Sequence, residues 1–86
     1  MTIKELANVC ANYFKSVMQE EGFDTFEEMR DCYWWDTNDI KDEVESVIKD
    51  YDWFLTDDRT EVVNMDCELY SYRSFIAMVY KMIKED

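Results

Sequence analysis

Apolar residues recur along the first fifth of the chain at Ile3, Leu6, Ala7, Cys10, Tyr13, Phe14, Val17 and Met18. Steps of three and four place them in one stripe on a helix of about five turns. Thr2-Ile3-Lys4-Glu5 opens that helix in capping-box form, with a hydroxyl and a carboxylate each satisfying an orphan backbone amide. Gly22 follows Glu20 and Glu21 where a left-handed C-terminal cap belongs. Thr25-Phe26-Glu27-Glu28 repeats the start signal and predicts a shorter second helix, with Phe26, Met29, Tyr33 and Trp34 facing inward. Asp36 or Thr37 caps a third, whose apolar side is Ile40, Val44, Val47, Ile48 and Tyr51.

The stretch from Asp52 to Asp66 has no clear period. Trp53-Phe54-Leu55 and Val62-Val63 flank Thr56-Asp57-Asp58-Arg59-Thr60, which reads as a loop or short helical turn, with a small hairpin over residues 53–65 as the alternative. A last helix is predicted from Cys67 or Ser71 to Lys84. Its apolar residues (Leu69, Tyr72, Phe75, Ile76, Met78, Val79, Tyr80, Met82 and Ile83) cover more than half its circumference. Such a helix is central in the core or shared with a second chain, so a homodimer through it is one expectation. The chain holds one glycine and no proline, which disfavours turn-rich β architectures. The expected fold is therefore all-α: one domain over residues 1–86, a small bundle of three main helices plus one short helix.

Composition narrows the function. With 21 Asp and Glu against 9 Lys and Arg, and no His, the 86-residue chain carries a formal charge of −12. Proteins that bind nucleic acid neutralise phosphates with Lys and Arg, so direct binding is excluded here, and anionic membranes repel the chain likewise. There is no apolar run of transmembrane length and no signal-peptide pattern. Cys10, Cys32 and Cys67 are odd in number and form no C-x-x-C pair, which suits free thiols in a reducing cytoplasm. Apolar residues at 48% and aromatics at 16% argue against disorder.

Enzymatic chemistry finds little footing. A nucleophilic cysteine wants a histidine beside it, and the lone glycine leaves no phosphate-cradling loop. Adjacent acids such as Glu27 and Glu28 point apart on a helix. Calcium loops fail on ligand positions: counted from Asp50, the fifth and sixth residues are Phe54 and Leu55, and counted from Asp36 the fifth is Ile40. No cofactor or metal is expected.

The charge is concentrated. Residues 20–68 hold 18 acidic and 4 basic side chains, a local balance of −14, while the flanking segments are close to neutral. Asp24, Glu27, Glu28 and Asp31 fall within or beside the second helix, and Asp39, Asp42, Glu43 and Asp50 on the outer side of the third. Asp57 and Asp58 lie in the following connection. At ~1.5 Å rise per residue, carboxylates four apart are roughly 6 Å apart along the axis, similar to the order of phosphate spacing. Like charges so placed cost a few tenths of a kcal/mol per pair, and retaining that cost suggests a use. In Tyr33-Trp34-Trp35, one core cannot hold three successive rings. Trp35, followed by Asp36, is the expected exposed anchor.

In size, charge and helix content the chain is similar to phage anti-CRISPR proteins and bacterial nuclease-immunity proteins, a likeness of general character that transfers no functional residue. The expectation is a non-enzymatic inhibitor whose acids imitate nucleic acid in the groove of a basic nuclease or CRISPR effector. The alternative is a small helical interaction module with a solvated acidic face.

Overall fold

In the computed structural model, residues 1–85 are described, and they form four helices and a three-stranded antiparallel sheet. Helix α1 spans Ile3–Glu21, α2 Phe26–Cys32 and α3 Thr37–Ile48, which runs on into one 3-10 turn at Lys49–Tyr51. Strands β1 (Trp53–Leu55), β2 (Glu61–Asn64) and β3 (Leu69–Ser71) follow as a meander, and α4 (Tyr72–Lys84) closes the chain. The architecture is thus mixed α and β, which corrects the all-α bundle expected from the pattern.

The helix signals act locally, as expected. Thr2 and Glu5 form the reciprocal capping box of α1 at 3.1 and 2.9 Å. Gly22 takes φ 77°, and the Phe23 N–H reaches back to the Met18 carbonyl at 2.8 Å. Thr25 accepts from the Glu28 N–H at 3.1 Å and starts α2. At α3 the cap is Asp36 rather than Thr37, paired reciprocally with Asp39.

The hairpin given as the alternative over residues 53–65 forms as β1 and β2, in place of the favoured loop, and a third strand not foreseen joins it; the turns of this sheet use no glycine. The β1–β2 connection is built on Thr56 and Asp58. The Thr56 and Thr60 hydroxyls both donate to the Asp58 carboxylate at 2.8 Å, the Thr60 N–H joins them at 3.1 Å, and Arg59 sits at φ 60°. The β2–β3 connection is built on Asn64, whose side-chain oxygen accepts from the Asp66 and Glu68 N–H groups at 3.0 Å while Cys67 takes φ 63°. Side-chain acceptors thereby hold ordinary residues in the left-handed region, where glycine is usual. Leu69-Tyr70-Ser71 becomes a strand although Leu69 fits the spacing of the following helix. Helix α4 begins only at Tyr72, whose N–H donates to the Thr60 carbonyl at 2.9 Å.

One core joins all the elements. Leu6, Cys10 and Phe14 of α1 meet Met29 of α2, Val44 and Ile48 of α3, Val62 of β2, and Phe75 and Val79 of α4, all fully buried. The breadth of apolar surface on α4 has an intramolecular use. Its most extensive packing is on α1, it also lies against β2 and β3, and Tyr80 stacks on Phe26 of α2 with ring centroids 5.0 Å apart. No large apolar side chain of α4 is exposed.

The cysteines divide by environment. All three are free; Cys10 is buried, and burial pushes its thiol up to about 12, whereas Cys32 and Cys67 are exposed. Because the thiolate is the reacting species, native protein should take up two equivalents of an alkylating reagent quickly and the third only on unfolding. Mass spectrometry of a labelling time course checks this, and fast labelling of Cys10 would contradict the packing.

Candidate functional site

The acidic side chains are not equivalent once folded. Several are occupied in holding the structure together. Asp36 and Asp39 are the two halves of the α3 capping box, and Asp58 organises the β1–β2 turn, its carboxyl held below the usual range first by the Thr56 hydroxyl and then by Thr60. Glu28 accepts from the Asp24 backbone N–H at 3.3 Å. Glu27 pairs with Lys84 of α4 at 3.6 Å, Asp31 with neighbouring Arg30 at 3.3 Å, and Asp42 with Arg59 across from the hairpin. Of the acids expected at the site, the carboxylates of Asp24, Glu43, Asp50 and Asp57 have no hydrogen-bond or ion-pair partner among the described residues; those of Glu20, Glu21, Glu45, Asp52, Glu61 and Asp66 are unengaged as well.

Two of those four line a trough between α1 and α3. At one end, Val9, Asn12, Tyr13 and Ser16 of α1 face Ser46 and Val47 of α3 and Asp50 and Tyr51 of the 3-10 turn, around a shallow space of about 600 Å³. At the other, Val17 and Glu43 meet Tyr33 and Trp35 around about 400 Å³. Glu43 and Asp50 are seven residues apart, hence roughly 10 Å along the helix axis. The Tyr13 phenol is raised above its ordinary value by partial burial and then by the nearby Glu43 charge. The trough is therefore amphipathic: the carboxylates of Glu43 and Asp50, the exposed polar side chains of Asn12, Ser16 and Ser46, half-buried Val17 and Val47, and aromatic rings at both ends.

The exposed indole is that of Trp34, not Trp35. Trp35 is half-buried, its ring 6.2 Å from Phe14 and 5.2 Å from Tyr33. Tyr33 and Trp34, expected to face inward, are both exposed, and Trp34 is 88% so. The cause is the end of α2. Tyr33 is its C-cap, and Trp34 occupies the next position with φ 58°. The Trp34 N–H donates to the Asp31 carbonyl at 3.3 Å and the Trp35 N–H to the Arg30 carbonyl at 3.0 Å. This is the Schellman arrangement, in which that position is normally glycine. A signal existed in the sequence: with Phe26 starting one helix and Asp36 capping the next, only residues 33–35 remain to reverse the chain.

Trp34 thus carries two costs at once, a left-handed backbone and an indole left in water. Trp34→Gly should raise the urea midpoint, by about 0.5–1 kcal/mol in stability, because glycine adopts that backbone without steric penalty. A lower midpoint would mean that the indole packs on the surface more than its exposure indicates.

The acids are spread over α2, α3, the last turn of α1 and the sheet connections, while the first four turns of α1 hold only Glu5. Helix α4 contributes Arg73, Lys81 and Lys84. Among the described residues, no three His, Cys, Asp or Glu side chains gather as a metal ion would require, and no helix is long and apolar enough to cross a membrane. Comparison with protein families, with curated proteins and with solved structures yields no match.

Proposed function

We propose that the protein is a non-enzymatic inhibitor that occupies the basic groove of a nucleic-acid-binding enzyme, a nuclease or a CRISPR effector, in place of nucleic acid. The observation that carries this reading is the presence on one small domain of carboxylates with no structural task (Asp24, Glu43, Asp50 and Asp57 among them) and of an exposed tryptophan, Trp34, held in a costly conformation. Strain of that kind persists where the surrounding structure imposes it, and it concentrates at functional sites. Charge would steer encounter with a cationic groove, and the indole would slow departure. The Lys and Arg side chains that line such a groove otherwise hold the nucleic-acid backbone.

The homodimer alternative draws less support. The apolar residues of α4 that would form its interface are buried or half-buried within the monomer, and Val79 is fully buried, so Val79→Glu would test the fold rather than an interface.

The test is a cleavage assay. Purified protein is added to a panel of nucleases and CRISPR effectors at low ionic strength, with labelled nucleic acid as substrate. Inhibition relieved by added salt and by excess competitor nucleic acid supports the reading. Absence of inhibition throughout the panel, with the labelled nucleic acid never displaced, overturns it.

A further inference from the structure

The sheet presents a second surface that the trough does not involve. Pairing register places Phe54 opposite Val63 and Val63 opposite Leu69, so these three side chains form one row across β1, β2 and β3. Successive strand residues alternate between faces. Trp53, Leu55 and Val62 therefore turn into the core, as their burial confirms, and the Phe54–Val63–Leu69 row turns outward. The outward face of an antiparallel sheet is ordinarily polar. Here Phe54 is 40% and Leu69 54% exposed. Four of the eight large apolar side chains exposed on the described structure (Tyr51, Phe54, Met65 and Leu69) come from this short segment besides Tyr70, which pairs with Val62 and lies against Trp53 on the other face.

What could cover such a row is decided by the charge around it. Residues 50–71 contain seven acids (Asp50, Asp52, Asp57, Asp58, Glu61, Asp66 and Glu68) and one base. That base, Arg59, is already paired with Asp42. Glu61 shares the outward face with Val63 by strand alternation, and Asp66 stands in the adjoining connection, whereas Glu68 already accepts from the Tyr70 hydroxyl at 3.0 Å. A second copy of this chain would bring −12 against −12. An uncharged apolar partner would desolvate the carboxylates without offering them a counter-charge. Both are disfavoured, and a cationic apolar surface is the complement that remains.

We propose that the outer face of the sheet docks a basic amphipathic segment of a partner protein, whose apolar side chains cover Phe54, Val63 and Leu69 and whose Lys or Arg residues meet Glu61 and Asp66. This surface is separate from the α1–α3 trough and does not depend on the partner's being a nucleic-acid enzyme. It supplies a component of binding that salt does not screen, since apolar burial strengthens rather than weakens in kosmotropic salt.

The experiment is a titration of the intact 15N-labelled protein, followed by amide chemical shifts, with three synthetic peptides. One is an amphipathic Lys/Leu peptide, one replaces its lysines by Glu, and one replaces its leucines by Ser. The expected result is saturable shifts at Phe54, Val63 and Leu69 with the Lys/Leu peptide, about tenfold weaker binding for the Lys/Ser peptide, and none for the Glu/Leu peptide. Leu69→Ser should weaken the Lys/Leu peptide about tenfold as well, and because Leu69 is exposed, a dispersed spectrum should show that the variant stays folded. Equal binding of the Lys/Leu and Glu/Leu peptides, or of the Lys/Leu and Lys/Ser peptides, would overturn the proposal. So would shifts confined to the α1–α3 trough. That last result would leave the inhibitor reading standing, whereas sheet binding without inhibition in the cleavage panel would remove the inhibitor reading and leave this one.

Discussion

Phe14→Ala is expected to unfold a large share of the protein at room temperature. The ring is fully buried and ties three parts of the chain together: its centroid lies 5.3 Å from Phe26 of α2 and 6.2 Å from Trp35, both edge-on, and 5.4 Å from Tyr13 beside it on α1. Truncating a buried phenylalanine costs about 3–5 kcal/mol, since the apolar contacts are lost and the surrounding helices cannot close the gap. At roughly 0.05–0.15 kcal/mol per residue, a chain of this length has about 4–13 kcal/mol in total. Self-repulsion among the acids places this protein toward the lower part of that range. Urea unfolding followed by circular dichroism should therefore show a midpoint near zero denaturant or a missing native baseline. A wild-type midpoint would mean that the α1–α2 junction is not part of the cooperative core.

The second large effect concerns binding. Reversing Asp24, Glu43 and Asp50 together to Lys should weaken inhibition of a susceptible enzyme on the order of a hundredfold at low salt, because each attraction to a cationic groove becomes a repulsion. The fold should survive, since none of the three carboxylates has an intramolecular partner among the described residues. The choice of sites matters. Reversing Asp39, Asp42 and Glu43, which share the outer side of α3, would also dismantle the α3 capping box and the Asp42–Arg59 pair, so lost inhibition there would say nothing about the groove. Inhibition constants for the wild type and the Asp24/Glu43/Asp50 variant, measured at two ionic strengths, check the point. An unchanged constant would reduce the acids to a solvated coat, and the difference between the two proteins should shrink as salt rises.

What was legible in the sequence is what short-range physics governs. The α1 stripe, the Thr2–Glu5 and Asp36–Asp39 boxes, the Gly22 cap and the Thr25 start all rest on groups three to five residues apart. The polar outer side of α3 and the concentration of charge in residues 20–68 also follow from order along the chain. Three things did not. The sheet, beyond the 53–65 hairpin that stood as an alternative, depends on pairing between strands of three and four residues, too short for a period to show, and on Arg59 and Cys67 accepting left-handed backbone where glycine is usual. The exposed indole depended on which of two adjacent tryptophans fell at the reversing position after α2.

The division of labour among the acids was the third, and it is the deepest difference. Composition alone determined that the protein is strongly anionic, and residue order that its negative charge lies in the middle of the chain. Only the tertiary structure decided which carboxylates are engaged and which are available. Glu27 is matched by Lys84 and Asp42 by Arg59, partners 57 and 17 residues away that only the packing of α4 on α2 and of the hairpin beside α3 brings within reach. A side chain's neighbours along a helix are set by a fixed rise and turn, whereas its neighbours across a core are set by how every other element packs.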